Sequence, residues 1–262
     1  MTAVSKQPSG AASYVNSRQI KVGPARRKSL IAMFALLPAL VVFCAFWLLP
    51  FSRLIMMGAE ADPSSGISAY LTILTHRQYL ISLATTVGLS LVVSLVAVAI
   101  AGVAGFFLAR QRFFGKSILV AILTFPLAFP GVVVGFLVIM LGGRQGALAQ
   151  TSLWLFGERW MFAYSLAGLF IGYLYFSIPR VITTVMAACD NLDQSLEEAA
   201  RSLGANTWQV AKDVIVPGIA PALLSTGAIC FATSMGAFGT AFTLGTRLSI
   251  LPLNIYGEFT NY

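Results

Sequence analysis

Five long stretches without a charged residue constrain the fold of this chain more than any other feature. A helix needs about 20 apolar residues to span the hydrocarbon of a bilayer, whereas barrel strands would alternate over about 10 residues. The chain is 58% hydrophobic and 10% charged, a composition typical of membrane proteins. We therefore predict an all-α, polytopic transmembrane helical bundle with five spans. The charge-free stretches are residues 29–52, 78–109, 117–143, 160–179 and 214–246.

The distribution of basic residues predicts the orientation of the spans. Residues 1–28 hold six basic residues and no acid, and residues 110–116 hold three basic residues and no acid. Because an excess of Lys and Arg marks cytoplasmic loops, both segments are expected inside, with a cytoplasmic amino terminus. The predicted segments are a cytoplasmic basic tail (1–28), a first transmembrane helix (29–52), a periplasmic loop (53–77), a core (78–247) with a cytoplasmic loop at 190–216, and a periplasmic end segment (248–262).

Two further expectations follow from this topology. Five spans leave the carboxyl end outside, and we expect a sixth helix to be missing from the chain. The first stretch has a basic leader and a small-x-small triplet at 59–61, as a cleaved signal does, but its apolar core of about 20 residues exceeds the usual 7–15. We interpret it as an uncleaved anchor. The net charge of +8 reflects loop orientation and does not predict a nucleic-acid partner.

Residues that would carry catalysis or bind a metal show no useful pattern. The three cysteines lie in or beside apolar stretches without metal-ligand spacing, and His76 is the only histidine. Small packed hydrophobes are the ordinary interpretation of such cysteines. No Walker motif or nucleophile elbow is present, so we predict neither a catalytic residue nor a cofactor in this chain. The spans hold too few ionisable groups to favour ion-coupled transport.

The loop 190–216 interrupts the apolar chain with five acids and two bases. Ser195 and Glu198 fit a capping box, Glu197 and Arg201 are spaced for an i, i+4 ion pair, and Gly204 is placed to end the helix. Asn206 or Thr207 is expected to cap a second short helix, with Pro217 at the entry to the last span. The predicted apolar stripe of the first helix comprises Leu196, Ala199, Ala200 and Leu203. The pattern fits a solvated linker and a docking element equally well.

A two-part motif distinguishes these alternatives. Glu198-Ala199-Ala200, three residues, Gly204, nine residues and then Val214-Ile215-Val216-Pro217 resembles the EAA loop of binding-protein-dependent ABC importer permeases, whose form is EAA-x3-G-x9-I-x-L-P. Val214 and Val216 replace the Ile and Leu of the family form. The resemblance extends over about residues 78–245 and is nearest to the polyamine, iron, thiamine and phosphonate branch. It implies a type I ABC importer permease fold and a location in the bacterial inner membrane.

In that family the loop is a coupling helix that docks on a cytoplasmic ATPase. The resemblance implies that Glu198 faces basic or amide groups of the ATPase, that Ala199 and Ala200 allow close approach, and that Gly204 supplies the bend. Charge complementarity at such a contact sets orientation and specificity. The implied docking residues are Glu197, Glu198, Ala199, Ala200, Arg201 and Gly204.

Two strings inside the spans are candidates for the transport path. The first holds Pro126, Phe129 and Pro130, whose prolines each remove a backbone donor; it predicts either a tolerated kink or a broken helix that lines the path. The second string allows close helix packing through its small residues, or forms a gate with Phe238 as plug and Ser234 and Thr240 as polar lining. Its candidate residues are Ser234, Gly236, Phe238, Gly239 and Thr240. Arg180 is expected to reach toward the cytoplasmic interface and not to contact solute.

These features together predict the permease subunit of an ATP-driven importer. The partners implied are a cytoplasmic ABC ATPase dimer that holds the ATP site, a second permease subunit, a periplasmic substrate-binding protein and the lipid bilayer. The solute is expected to be small and polar or charged, and the resemblance alone favours a polyamine or similar amine. The alternative is a non-transporting scaffold or regulatory subunit that uses the same loop to hold a soluble partner.

Overall fold

The computed structural model describes residues 36–60, 73–245 and 248–260. The predicted tail 1–28, the start of the first span and residues 61–72 of the predicted periplasmic loop lie outside the described residues. Those that are described form helices and the turns between them, without a strand. The all-α prediction is confirmed, and five helical segments in the described ranges are long and apolar enough to cross a membrane.

The helices divide between two units, residues Met1–Leu71 and Thr72–Tyr262. The first unit contains α1, residues 36–60. The helices of the second unit are α2 (Arg77–Arg110), α3 (Lys116–Thr124), α4 (Gly131–Gly142), α5 (Ala147–Phe156), α6 (Leu166–Asp190), α7 (Gln194–Ser202), α8 (Thr207–Val210), α9 (Val216–Met235), α10 (Phe238–Leu244) and α11 (Leu251–Thr260).

Helix α1 is longer than the predicted first span. It continues past Ser52 to Glu60 and includes a π-helical turn at Cys44–Leu48, so the first part of the predicted loop 53–77 is helical. The residues after Ser52 are mostly good helix formers, and one arginine does not end a helix. Phe43, Trp47 and Phe51 stack along one side, with ring centroids 5.1 and 5.4 Å apart.

Helices α2, α6 and α9 pack against one another at the centre of the second unit. Small residues of α2 face α6, and a Cβ added at Gly105 would lie 2.9 Å from the carbonyl oxygen of Ile182. Small residues let helix backbones approach closely in a membrane, where apolar side chains gain little by leaving lipid. One buried cluster lies toward Arg110 and contains Ala97, Ala101, Val181 and Cys230. A second lies toward Arg77 and contains Val93, Leu169, Tyr173 and Leu244.

Two of the five predicted spans are interrupted. The third stretch forms α3, a 3₁₀ turn at Phe125–Ala128, an extended residue at Phe129 and then α4, so the structure favours the broken helix over the kink. The prediction of a continuous fifth span to residue 246 is wrong. Helix α9 ends at Met235, and α10 begins only after Gly236 and Ala237. The fourth span begins at Leu166, not at residue 160, because Ser165 caps the helix there.

The end segment contains a helix of 10 residues, α11, which is too short to cross a bilayer. It packs against α2 and α10. The backbone N–H of Leu251 donates to the Thr86 hydroxyl at 2.9 Å, and the Tyr79 hydroxyl donates to Glu258 at 2.9 Å. The prediction that this segment does not span the membrane therefore holds for residues 248–260. The segment is nevertheless helical and packs against other helices.

We predict that Gly105→Ala destabilises the second unit by about 1–3 kcal/mol through overpacking against the α6 backbone. Gly88→Ala in the same helix is the matched control, because a Cβ at Gly88 meets nothing within 4 Å. Thermal denaturation of the purified variants in detergent measures both effects. Equal melting temperatures for the two variants would contradict the close contact between α2 and α6.

Candidate functional site

Helix α7 of the polar loop has its N-cap two residues earlier than the predicted capping box at Ser195. Asp193 is the N-cap, and its side-chain oxygen Oδ1 accepts the backbone N–H of Ser195 at 2.9 Å. The predicted capping box of Ser195 and Glu198 is therefore wrong, since Asp193 already occupies the cap and Ser195 lies inside the helix. The hydrogen bond holds the pKa of the Asp193 carboxyl below its usual value, so the cap remains charged at neutral pH.

The carboxyl end of α7 is a Schellman turn. Gly204 has a φ of +87°, and its N–H donates to the Arg201 carbonyl at 2.9 Å, while the N–H of Ala205 donates to the Ala200 carbonyl at 3.1 Å. Both bonds satisfy carbonyls that a helix end otherwise leaves free, and the left-handed residue between them favours glycine. The structure thus places the bend at Gly204, where the motif predicts it.

A second cap follows at once. The Asn206 side chain accepts the N–H of Gln209 at 2.9 Å, and the Gln209 side chain accepts the N–H of Asn206 at 2.8 Å. This capping box starts α8, which continues through a π-helical turn at Ala211–Ile215 into α9. The helical path from Thr207 to Met235 is therefore 29 residues long, and Pro217 lies in the first turn of α9, at the entry that the sequence predicts.

Most of the apolar stripe predicted for α7 points away from the packed helices. Leu196 is 52% exposed and Leu203 is 89% exposed, and Ala199 is also exposed. Ala200 is the exception, because it packs with Ala205 against the buried cluster near Arg110. We call the outward side chains of this segment the exposed loop surface; they are Leu196, Glu198, Ala199, Arg201, Leu203 and Trp208.

Glu197 forms an ion pair with Arg110, at the end of α2, and not with Arg201 as the i, i+4 spacing suggests. The guanidinium Nη2 of Arg110 donates to Oε1 of Glu197, and both side chains are less than one fifth exposed. A partly buried pair is screened less than the exposed i, i+4 pair would be. The pair joins the first turn of α7 to α2, and 87 residues of sequence separate its members.

The two strings predicted to form the transport path contact each other. The Thr240 hydroxyl donates to the Gly131 carbonyl at 2.9 Å, directly after the break at Pro130. A Cβ added at Gly239 would lie 3.1 Å from the backbone nitrogen of Val132, so small residues allow the approach of α10 to α4. Thr240 is buried with its hydroxyl engaged, and it does not line an open polar surface.

The other predicted path residues have varied surroundings. Phe129 contacts Phe125 edge-to-face at a centroid distance of 4.9 Å, and Pro126 belongs to the adjoining 3₁₀ turn. Phe238 lies in an aromatic group with Phe242 and Tyr256, at centroid distances of 5.4 and 5.3 Å respectively, and Gly236 is exposed at the end of α9. Of the predicted path residues, Ser234 alone lines the cleft described next.

A cleft of about 210 Å³, mostly apolar but with a few polar groups, opens between α6 and the end of α9. Residues of α6 contribute at spacings of four and three, and residues around the end of α9 face them. The site lies between the two buried apolar clusters, because Tyr173 belongs to one and Cys230, four residues before Ser234, belongs to the other. The lining residues are Tyr173, Phe176, Ser177, Arg180, Thr233, Ser234 and Ala237.

Arg180 lies in this cleft, and the expectation that it reaches the cytoplasmic interface is wrong. Its Nη1 donates to the Thr233 hydroxyl at 2.9 Å. At 1.5 Å per residue, Arg180 stands about 15 Å from the Asp190 end of α6 and about 21 Å from the Leu166 end, and a polar partner on α9 is much nearer than either end. Periodicity offered a signal, since Tyr173, Ser177 and Arg180 occupy one face of α6, but no motif pointed to it.

We predict that Glu197→Gln loosens α7, because the partly buried Arg110 then lacks its charged partner, at a cost of about 1–3 kcal/mol. Hydrogen–deuterium exchange of the amides of residues 194–205 in the purified protein measures this. Glu198→Gln is the matched control, since Glu198 is exposed. If both variants exchange at the same rate, the ion pair does not hold the loop.

Comparison with known proteins identifies the family. Residues 101–260 match the family model described as "Binding-protein-dependent transport system inner membrane component". The molybdenum transport system permease protein ModB of Haemophilus influenzae is 31% identical over 153 residues, which are 57% of this chain and 66% of that protein. The sulfate transport system permease protein CysT of Escherichia coli is 28% identical over 211 residues, 80% of this chain and 74% of that protein.

The fold has a counterpart among solved structures. A bacterial ABC transporter involved in the import of the acidic polysaccharide alginate aligns with a TM-score of 0.75 at 18% identity, over 90% of this chain and 86% of the matched chain. The chain spans just under two thirds of the length of the molybdenum permease it matches. These findings show that the chain belongs to the family of binding-protein-dependent transport system inner membrane components.

Proposed function

We propose that this chain is the membrane-spanning subunit of an ATP-driven importer, and that the loop 190–216 docks on a cytoplasmic ATPase. The observation that carries the proposal is the exposed loop surface, which combines apolar and charged side chains on a helix held at both ends. An exposed Leu203 and Trp208 at the tip of a polar loop are costly in water and are typical of a contact with another protein. ATP hydrolysis is assigned to that partner.

The loop is built to transmit displacement rather than to absorb it. The Asp193 cap and the Schellman turn fix the ends of α7, and the Arg110–Glu197 pair fastens its first turn to α2. On the other side, α8 and α9 form one helical path from Thr207 to Met235. A push on the loop therefore acts on α2 directly and on the cleft through α9. We propose that the two states of the importer differ in this arrangement and that the ATPase biases the equilibrium between them.

The family description supports our proposal for the remaining partners. A binding-protein-dependent system takes its solute from a binding protein, which we place on the periplasmic side, next to the loop 144–159 and the end segment. A second permease subunit is proposed to cover exposed helix faces and to complete the path. With Arg110 and the loop 190–216 on the cytoplasmic side, the amino terminus is cytoplasmic and the chain lies in the bacterial inner membrane.

The solute is proposed to be small and polar or charged. The expected polyamine has no support in the names of the relatives described above, which transport molybdenum or sulfate. The cleft also holds an arginine, which repels an amine. We therefore do not carry the polyamine forward as the preferred solute.

We predict that Glu198→Lys and Gly204→Val each abolish co-purification of the partner ATPase with the tagged chain. The first reverses a charge on the exposed loop surface. The second puts a β-branched residue at a φ of +87°, which costs about 1–2 kcal/mol and opens the Schellman turn. Retention of the ATPase on affinity resin after solubilisation from native membranes measures the effect.

Two matched controls separate docking from general damage. Gly115→Val places the same strain at another glycine of positive φ, 84°, with open space around it, and Glu158→Lys makes the same charge change in a different exposed loop. Both controls are expected to retain the ATPase. Equal retention in all variants would make the loop a simple connector. A wild-type chain that retains an ATPase yet drives no uptake with a binding protein would be a scaffold.

A further inference from the structure

We propose that the cleft between α6 and α9 binds a small oxyanion in transit through the membrane and that Arg180 recognises its charge. The inference rests on the proposed function of the chain as an importer subunit. The proposed site lies between α6 and α9, and its substrate class is a small oxyanion. Arg180 and Ser234 are the residues that select for an anion.

The charge of Arg180 is not balanced by the protein around it. Charged residues inside a membrane span are costly, and they ordinarily pair with an opposite charge or face a water-filled cavity. Within the described ranges the one ion pair is that of Arg110 and Glu197, and no carboxylate lines the cleft. Arg180 instead contacts the neutral hydroxyl of Thr233. Arg180 therefore lies near the middle of α6, beside a cavity and without an anionic side chain. A solute anion in the cavity can supply the opposite charge.

The hydroxyls of Tyr173 and Ser177 donate to backbone carbonyls, so the guanidinium of Arg180 supplies most of the remaining donors of the cleft. The Thr233 hydroxyl gives its proton to the Ile229 carbonyl at 2.8 Å, so it accepts from Arg180 and fixes the direction of the guanidinium. A guanidinium has five N–H donors, and only one of its nitrogens makes this contact. The planar fork is suited to bidentate recognition of an oxyanion.

Ser234 supplies a second donor. Its side chain is 3% exposed and lines the cleft. A serine hydroxyl can donate one hydrogen bond, so Ser234 adds a donor to the cleft that Arg180 also lines. An oxyanion accepts from both groups, whereas an ammonium offers only donors and repels Arg180.

The size of the cleft limits the solute. A volume of about 210 Å³ is below the roughly 300–1,000 Å³ of pockets for drug-sized ligands. It suits an ion of a few heavy atoms, such as a tetrahedral oxyanion. The small number of donors is also appropriate for a transport site, where binding has to be weak enough to allow release.

The position of the cleft couples the site to the loop. The Arg180–Thr233 contact joins α6 to α9, and α9 is continuous with the helix that leaves the exposed loop surface. A shift of α9 along α6 removes Thr233 from Arg180 and frees or turns the guanidinium. Anion affinity would thereby differ between the two states of the importer, as alternating access requires.

The test uses the full chain in lipid nanodiscs, with Cys44, Cys189 and Cys230 replaced by alanine and a reporter at Ala237→Cys. Labelling rates are compared for an anionic and a cationic methanethiosulfonate reagent, with and without sulfate or molybdate. We expect the anionic reagent to be favoured, and Arg180→Gln to lower the anionic-to-cationic rate ratio by about tenfold, as for one nearby unit charge in a medium of intermediate dielectric.

Sulfate or molybdate is expected to slow labelling, and the concentration needed should rise about tenfold or more in Arg180→Gln when a charge-assisted hydrogen bond is lost. Arg180→Lys should retain the rate ratio while weakening protection. Ser234→Ala should weaken protection without changing the ratio. Arg144→Gln, an exposed arginine outside the cleft, is the matched control and should behave as wild type.

Several outcomes would overturn the proposal. These are protection by putrescine but not by either oxyanion, a rate ratio unchanged by Arg180→Gln, and no labelling at Ala237→Cys or at a second reporter, Ser234→Cys. The measurement needs no ATPase, so it can fail while the loop still retains an ATPase, and it can succeed if that retention fails. The two proposals are therefore judged separately.

Discussion

Close contact between α2 and α6 is the interaction on which the other features of the second unit depend. Lipid is as apolar as leucine, so helices in a membrane gain little from burying large side chains and associate mainly through tight packing. Ala97 and Ala101 are fully buried, and Gly105 approaches the α6 backbone. This contact determines where Arg110 emerges at one end of α2 and which face of α6 remains for α9. The ion pair of the loop and the cleft are both consequences of it.

The fold class could be predicted from the sequence because a membrane-spanning helix requires a long, uniformly apolar stretch. In lipid, the backbone N–H and C=O groups of such a stretch must bond to one another. The sequence was also sufficient for the bend at Gly204 and the cap at Asn206, which depend on residues a few positions apart. Side-chain contacts could not be predicted where the two residues lie far apart in the sequence. Glu197 has an acceptable local partner in Arg201, and only the packing of α2 shows that Arg110 replaces it. Asp193 caps the helix in place of the predicted Ser195. Both residue types are good N-caps, and the motif did not show which of the two stands at the start of the helix.

The cleft illustrates the same limit more clearly. Arg180 is conspicuous as a lone charge in an apolar stretch, and snorkelling is the ordinary outcome for such a residue near a helix end. Its distance from both ends of α6 and the presence of Thr233 on the neighbouring helix decide otherwise. Thr233 belongs to no motif, and Ser234 was a candidate only as a polar residue in a string of small residues, without any link to Arg180. Their importance arises only from the place where α9 stops and from the face it presents to α6.

The π-helical turn at Ala211–Ile215 has a consequence for how the two ends of the 29-residue helix are aligned. Val210 and Ile215 are both buried although five residues separate them, which an uninterrupted α-helix would not place on one side. The turn therefore sets the rotation, about the helix axis, of the loop end of the helix relative to its membrane end. Loss of one residue there would shorten the path by only about 1.5 Å but rotate everything beyond it by about 100°. The angular setting of the docking end relative to the cleft thus depends on a single inserted residue, while their separation is almost independent of it.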